Sequence, residues 1–151
     1  MSRVRNLRVA VSVVVMSVGV LAGGIVGVTA AAAKTTPKLV VKPAVNLKNG
    51  EKVTVSGSGF KPGDTVYFVE CLRTAKGQAG CNTPAGIPPY ATISATGTFP
   101  TFKFRVTTGK VGTGSGTCGT KASNLAKCAV SAGNATGGDS AVADITFAAK
   151  K

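Results

Sequence analysis

The chain has 151 residues, 18 basic against five acidic for a formal net charge of +13, four cysteines and no histidine. Its length holds one ordinary domain, and the missing histidine excludes a conventional serine or cysteine triad and a histidine-held metal. The basic excess raises the encounter rate with any polyanion, whether nucleic acid, anionic lipid or cell-wall polymer, without choosing among them.

Arg3, Arg5 and Arg8 form a positive start, Val9 to Val28 is almost wholly apolar, and Ala30 to Ala33 offers the small residues that a signal peptidase needs. Residues 1–33 therefore read as an export signal cleaved after Ala33, which makes 34–151 the mature domain. The apolar run is also long enough to cross a bilayer as a helix, so an uncleaved anchor formed by residues 9–28, with the domain outside the cytoplasm, is the alternative. Without Arg3, Arg5 and Arg8 the charge falls from +13 to +10, still strongly basic.

After Ala33 the pattern is one of strands and turns. No window spaces its apolar residues as a helix does, whereas several alternate with period two. Leu39 to Val45 is a first extended run, and Pro43 inside it suits an edge strand. Asn49-Gly50 makes a turn. Lys52 to Ser56 alternates cleanly, with Val53 and Val55 on one side. Gly57 and Gly59 mark a bulge or bend, and Phe60 is a core anchor. Lys61-Pro62-Gly63-Asp64 is a turn in which proline presets the first central position and glycine accepts a positive φ at the second. Thr65 to Cys71, rich in β-branched and aromatic residues, is the strand that follows. Tyr90 to Ser94 is a short strand, Ala95-Thr96-Gly97 a turn, and Thr98 to Val106 a longer strand with Phe102, Phe104 and Val106 on one face and Lys103 and Arg105 on the other. Thr107 to Thr120 reads as loop. Lys127 to Ser131 and Ala141 to Phe147 close the chain, the latter with Ala143, Ile145 and Phe147 inward and Asp144 outward. About seven short strands with frequent turns are the pattern of an all-β protein, an antiparallel β-sandwich of immunoglobulin type.

Cys71, Cys81, Cys118 and Cys128 permit three pairings. Sequential bridges are favoured, because each pair lies in or beside strands and is separated by a turn-rich stretch, and each would contribute about 2–3 kcal/mol through the unfolded chain. Disulfides agree with an exported protein. A zinc site is disfavoured by the lack of histidine and of close Cys-x-x-Cys spacing, so no metal is expected.

No catalytic residue emerges. Glu51, Asp64, Glu70, Asp139 and Asp144 are too few and too dispersed to nominate a carboxylate pair. The glycines of 112–116 lack the Lys-Ser or Lys-Thr and the helix that a phosphate-binding loop requires. Asn134-Ala135-Thr136 matches a glycosylation acceptor and reads as loop. Glu70 falls on the face of Val66 and Phe68, so either that face opens to solvent at the strand end or the carboxylate lines a cavity. Solvent is favoured, since unpaired buried acids are rare.

The run Ser56-Gly57-Ser58-Gly59-Phe60-Lys61-Pro62-Gly63-Asp64-Thr65-Val66-Tyr67-Phe68-Val69-Glu70-Cys71, then Cys81-Asn82, Ala95-Thr96-Gly97, Cys128-Ala129-Val130 and Ala143-Asp144-Ile145-Thr146-Phe147, resembles the neocarzinostatin family of enediyne-binding apoproteins over about residues 39–147. The resemblance implies a seven-stranded immunoglobulin-like sandwich with two short-range disulfides. It also implies a secreted, non-enzymatic carrier that holds a chromophore non-covalently in a cleft between the sandwich and a hairpin, counted among antibiotic and DNA-binding proteins. Carried over by position, the family's tryptophan two residues beyond the first cysteine is Arg73 here. The aromatics of its loop before the third cysteine have no counterpart in 109–117. The small or polar residues after the fourth cysteine become Ala129, Ser131 and Gly133.

Two functions follow. One is a small-ligand carrier, a monomer whose cleft is lined by Arg73, Ala79, Tyr90, Ala129, Ser131 and Gly133, with Arg73 orienting a ligand carboxylate or ring oxygen. The other is an exported interaction domain that has lost the chromophore site and meets DNA or an anionic envelope polymer through a basic surface including Lys103 and Arg105.

Overall fold

The computed structural model describes residues 35–83, 88–114 and 116–149. The expected signal of 1–33 and its alternative as an anchor over 9–28 lie outside the described residues. Those described form an all-β structure of two packed sheets and one small ladder.

The first sheet has the order β1-β2-β6, with β1 Lys38–Lys42, β2 Lys52–Ser58 and β6 Phe102–Arg105. The second is built on β3 (Thr65–Leu72), which pairs with β9 (Cys128–Gly133) along one edge and with β4 (Cys81–Asn82) and β5 (Tyr90–Thr92) along the other. β10 (Ser140–Ile145) completes it beyond β9, and every pairing in these two sheets is antiparallel. β7 (Gly109–Lys110) and β8 (Thr117–Cys118) form the separate ladder.

Alternation decides what each strand buries. Leu39 and Val41, Val53 and Val55, and Phe104 face inward from the first sheet, against Val66, Phe68, Val130, Ala132, Ala141 and Ile145 from the second. Phe68 is the hub, 0% exposed, with ring centroids 5.0 Å from Phe99 and 4.6 Å from Phe102 in edge-on geometry. Burying one such ring fully stabilises by roughly 1.5–3 kcal/mol, and its quadrupole favours edge contacts. Beyond β10, Phe147 bridges Leu47 in the segment between β1 and β2, and both side chains are buried.

The expected turns are present. Asp64 N donates to the Lys61 carbonyl with Gly63 at φ 82°, and Gly97 N donates to the Ser94 carbonyl with Gly97 at φ 75°. Both disulfides join sequential cysteines, Cys71 to Cys81 and Cys118 to Cys128. Cys71 and Cys81 face each other in the β3–β4 ladder, so the bridge closes a hairpin that backbone pairing already aligns.

Several expectations need correction. There are ten strand segments among the described residues where seven were expected, because β4, β7 and β8 are two-residue ladders too short to leave a periodic signal. The first strand stops at Lys42, before Pro43. The long strand from Thr98 begins only at Phe102, since Pro100 has no N–H to donate, although Phe99 still packs in the core. The last strand ends at Ile145.

Gly57 is not a bulge: it sits within β2, paired with Leu39, and Gly59 makes the bend at φ 78°. A Cβ on Gly57 would lie 2.6 Å from the Phe99 ring, 2.8 Å from the Lys38 carbonyl oxygen and 2.8 Å from the Phe60 ring. Two core rings and a backbone atom cannot all give way, so Gly57→Ala should cost about 1–3 kcal/mol. Urea unfolding would measure it, and an unchanged midpoint would refute this account of the glycine.

Candidate functional site

β3 has a second face. Val66, Phe68 and Glu70 point inward, so Tyr67, Val69 and Cys71 point outward. On the neighbouring β9 the outward residues are Ser131, opposite Val69, and Gly133, opposite Tyr67. Val142 of β10 lies opposite Ser131 and is 60% exposed. This outer face is the floor of an open cleft of about 650 Å³, walled by Leu72, Arg73 and Gln78 on the disulfide hairpin and by Asn134 and Ala135 beyond β9. Asn134 is held there by Asp64, which accepts from its side-chain nitrogen at 2.9 Å.

The six candidate ligand residues divide evenly. Arg73, Ser131 and Gly133 line the cleft; Ala79, Tyr90 and Ala129 do not. Ala79 lies in a 3-10 turn, Gln78–Gly80, and its carbonyl accepts from Thr113 N at 3.0 Å. Ala129 is 0% exposed. It stands between Cys71 and Asp144 in the cross-strand row, and Arg73 spans that row to form an ion pair with Asp144. Tyr90 is 61% exposed at the cleft's margin, its ring centroid 6.0 Å from that of Tyr67. The Arg73 guanidinium, besides meeting Asp144, donates to the Ala126 carbonyl at 3.4 Å. Tyr67, Val69 and Val142 were missed by sequence reasoning; the phase of the β3 alternation would have found the first two.

Lys103 and Arg105 occupy neither wall nor floor of this cleft. They lie on the outward face of the other sheet, exposed, where Lys103 Nζ donates to Thr54 Oγ1 at 2.7 Å and Arg105 donates to the Gly50 carbonyl at 3.1 Å.

Glu70 overturns the expectation of a solvent-facing acid: it is 3% exposed. Its Oε2 accepts from both the backbone N–H (2.9 Å) and the hydroxyl (3.1 Å) of Thr107, in the segment that follows β6. Its Oε1 lies 3.8 Å from Cys118 Sγ, a half-cystine sulfur with no hydrogen to give. The carboxyl also borders a second opening of about 650 Å³, with Phe68, Asn82, Phe104 and Thr113 around it. Glu70, Cys118 and Cys128 place their ligand atoms within 4.8 Å of one another, but the two sulfurs are bonded together and offer no thiolate to a metal.

Burial pushes the Glu70 carboxyl up from 4.5 to about 7, against the two Thr107 hydrogen bonds that pull it down. Between those two values the folded protein keeps a proton that the unfolded chain has released. Stability is therefore full at low pH and falls as pH rises through the window, by on the order of 3 kcal/mol. Glu70→Gln keeps an oxygen for Thr107 and should abolish this slope. Unfolding at about pH 5 and about pH 8 tests it: a parent protein equally stable at both, or a variant with the same slope, would contradict the assignment.

A family model for the neocarzinostatin family matches residues 39–147. The antitumor antibiotic C-1027 apoprotein of Streptomyces globisporus is 35% identical over 125 residues, covering 81% of this chain and 82% of that protein. Actinoxanthin, also of Streptomyces globisporus, is 37% identical over 117 residues, 71% of this chain and 79% of that one. Macromomycin of Streptomyces macromomyceticus is 32% identical over 137 residues, 84% and 92% respectively. A solved structure of macromomycin superimposes with a TM-score of 0.57 over 75% of this chain and 100% of that chain, at 32% identity.

Proposed function

The chain belongs to the neocarzinostatin family, and from that membership we propose that it carries a small molecule, held without a covalent bond in the cleft on the outer face of β3 and β9. The family's apoproteins are non-enzymatic carriers of a non-covalently bound enediyne chromophore. The observation that supports the reading most is the cleft itself, about 650 Å³ and open, with its floor on the outward residues of β3 and β9. That volume suits a drug-sized ligand.

The occupant differs in detail from one that needs a strongly aromatic wall. The chain has no tryptophan, and the aromatic surface at the cleft is Tyr67 with Tyr90 beside it. Apolar contact comes from Val69, Leu72 and Val142, and a hydrogen-bonding hydroxyl from Ser131. Arg73, its charge met by Asp144, serves as a wall rather than as the anchor of a ligand carboxylate. We assign the carrier to the outside of the cell, as a monomer released by cleavage after Ala33 rather than anchored through residues 9–28.

A second reading rests on a separate observation. Lys103 and Arg105 stand on a sheet face far in charge from neutrality, and association with a polyanion, DNA or an anionic envelope polymer, uses that face and leaves the cleft open.

Protein purified gently from its own secreting cells should show, by native mass spectrometry, a mass above that of the polypeptide that organic extraction removes. Apoprotein alone would overturn the carrier reading. Ser131→Trp fills the floor from a strand-facing position, so it should keep the fold and lose the added mass. Retention of the ligand by this variant would place the site elsewhere. N-terminal sequencing of the same material should begin at Lys34; a chain starting at Met1 and found in the membrane fraction would favour the anchor.

A further inference from the structure

We infer that the outward face of the β1-β2-β6 sheet docks a flexible polyphosphodiester, a chain of phosphate diesters without bases; this rests on the polyanion reading above and names its partner. The outward residues of the sheet are Lys38, Val40 and Lys42 on β1, Lys52, Thr54, Ser56 and Ser58 on β2, and Lys103 and Arg105 on β6. Register groups the cations. Thr54 has Lys42 opposite it on one side and Lys103 on the other, and one step along the same face Lys52 lies directly opposite Arg105. With strands about 4.8 Å apart and alternate residues about 7 Å apart, four positive groups surround one threonine.

Like charges directly opposite across a ladder destabilise it, and nothing on this face relieves them. β1, β2 and β6 contain no acidic residue, and none of the five cations forms an ion pair among the described residues. The five acids are engaged elsewhere. Glu51 accepts from Lys48 N, Asp64 pairs with Lys61, Glu70 is interior, Asp139 accepts from Lys61 N, and Asp144 pairs with Arg73. A surface that serves only solubility intersperses its signs. Here the fold sorts them, and the sorted face attracts a polyanion.

Shape and composition choose among polyanions. The face is a sheet surface with no projecting helix or ribbon to enter a groove, and it has no aromatic side chain on which bases could stack. A stiff duplex, with a persistence length of about 50 nm, meets a twisted sheet along a single line. A flexible phosphodiester chain follows both rows, which hold four of the cations, and extends along β1 to the fifth, Lys38, opposite Ser58.

The test titrates the full protein with poly(glycerol phosphate) and, at equal phosphate concentration, with a mixed-sequence DNA duplex. The polymer should bind more tightly, and its affinity should fall about 100-fold between about 50 and 200 mM NaCl if five contacts release counterions. The variant Lys42→Gln/Lys103→Gln/Arg105→Gln should weaken polymer binding at least tenfold and reduce the salt slope by about 2. A control of equal charge change, Lys76→Gln/Lys121→Gln/Lys127→Gln, should bind as the parent does. Equal losses in the two variants would mean that overall charge and not this face binds, which overturns the inference. Duplex bound as tightly as polymer also overturns it while leaving the polyanion reading intact. Failure of both probes to bind at low salt removes the inference and that reading together.

Discussion

Strand β3 must satisfy two environments at once, and the rest of the molecule is arranged by that requirement. One face plants Val66 and Phe68 in the core at 0% exposure; the other presents Tyr67 and Val69 to the cleft. A slip of one residue would exchange the two sets. Slippage is opposed on both edges, by six consecutive pairs with β9 and by the Cys71–Cys81 bridge to β4. The packing that stabilises the interior therefore also fixes which atoms floor the cleft, and a rigid strand makes a more exact floor than a loop would.

Charge is partitioned along the same division into two sheets. On the second sheet the Arg73–Asp144 pair closes the row above Ala129 and covers it, leaving the cleft's floor to Val69, Ser131 and Gly133. Among the described residues the cations of the first sheet have no such partners. The cleft and the basic face thus belong to different sheets, so a small molecule and a polymer could be held independently. Inside, Glu70 shows the limit of this sorting. Its carboxyl ties the segment after β6 to β3 through Thr107, and burial holds its proton to about pH 7.

Much of this was legible in the residues. Period two placed Val53, Val55, Phe104 and Val106 inside and Lys103 and Arg105 outside, because one buried face per sheet leaves a strong alternating signal. Pro62-Gly63 and Asn49-Gly50 marked turns because their backbone preferences are local. The two-residue ladders β4, β7 and β8 were not legible, since pairing so short depends on what the rest of the chain brings together. Nor was the burial of Glu70, whose donors come from Thr107, 37 residues away. The candidate site divided in the same way. Ala129, Ser131 and Gly133 share one phase of β9 and come together from the family resemblance, and two of the three line the cleft. Ala79 and Ala129 lie outside it, where long-range contacts, the Thr113 bond and the Arg73–Asp144 pair, could not be read from the residues.

The claim that the outer face of β3 and β9 holds a small molecule is tested most directly by amide NMR spectra of the secreted protein before and after extraction with organic solvent. The account predicts shift differences centred on the cleft residues Tyr67, Val69, Leu72, Ser131, Gly133, Asn134 and Val142, with the inward-facing Val53, Val55 and Val130 unmoved. Superimposable spectra, or differences centred on Lys42 and Lys103, would contradict it.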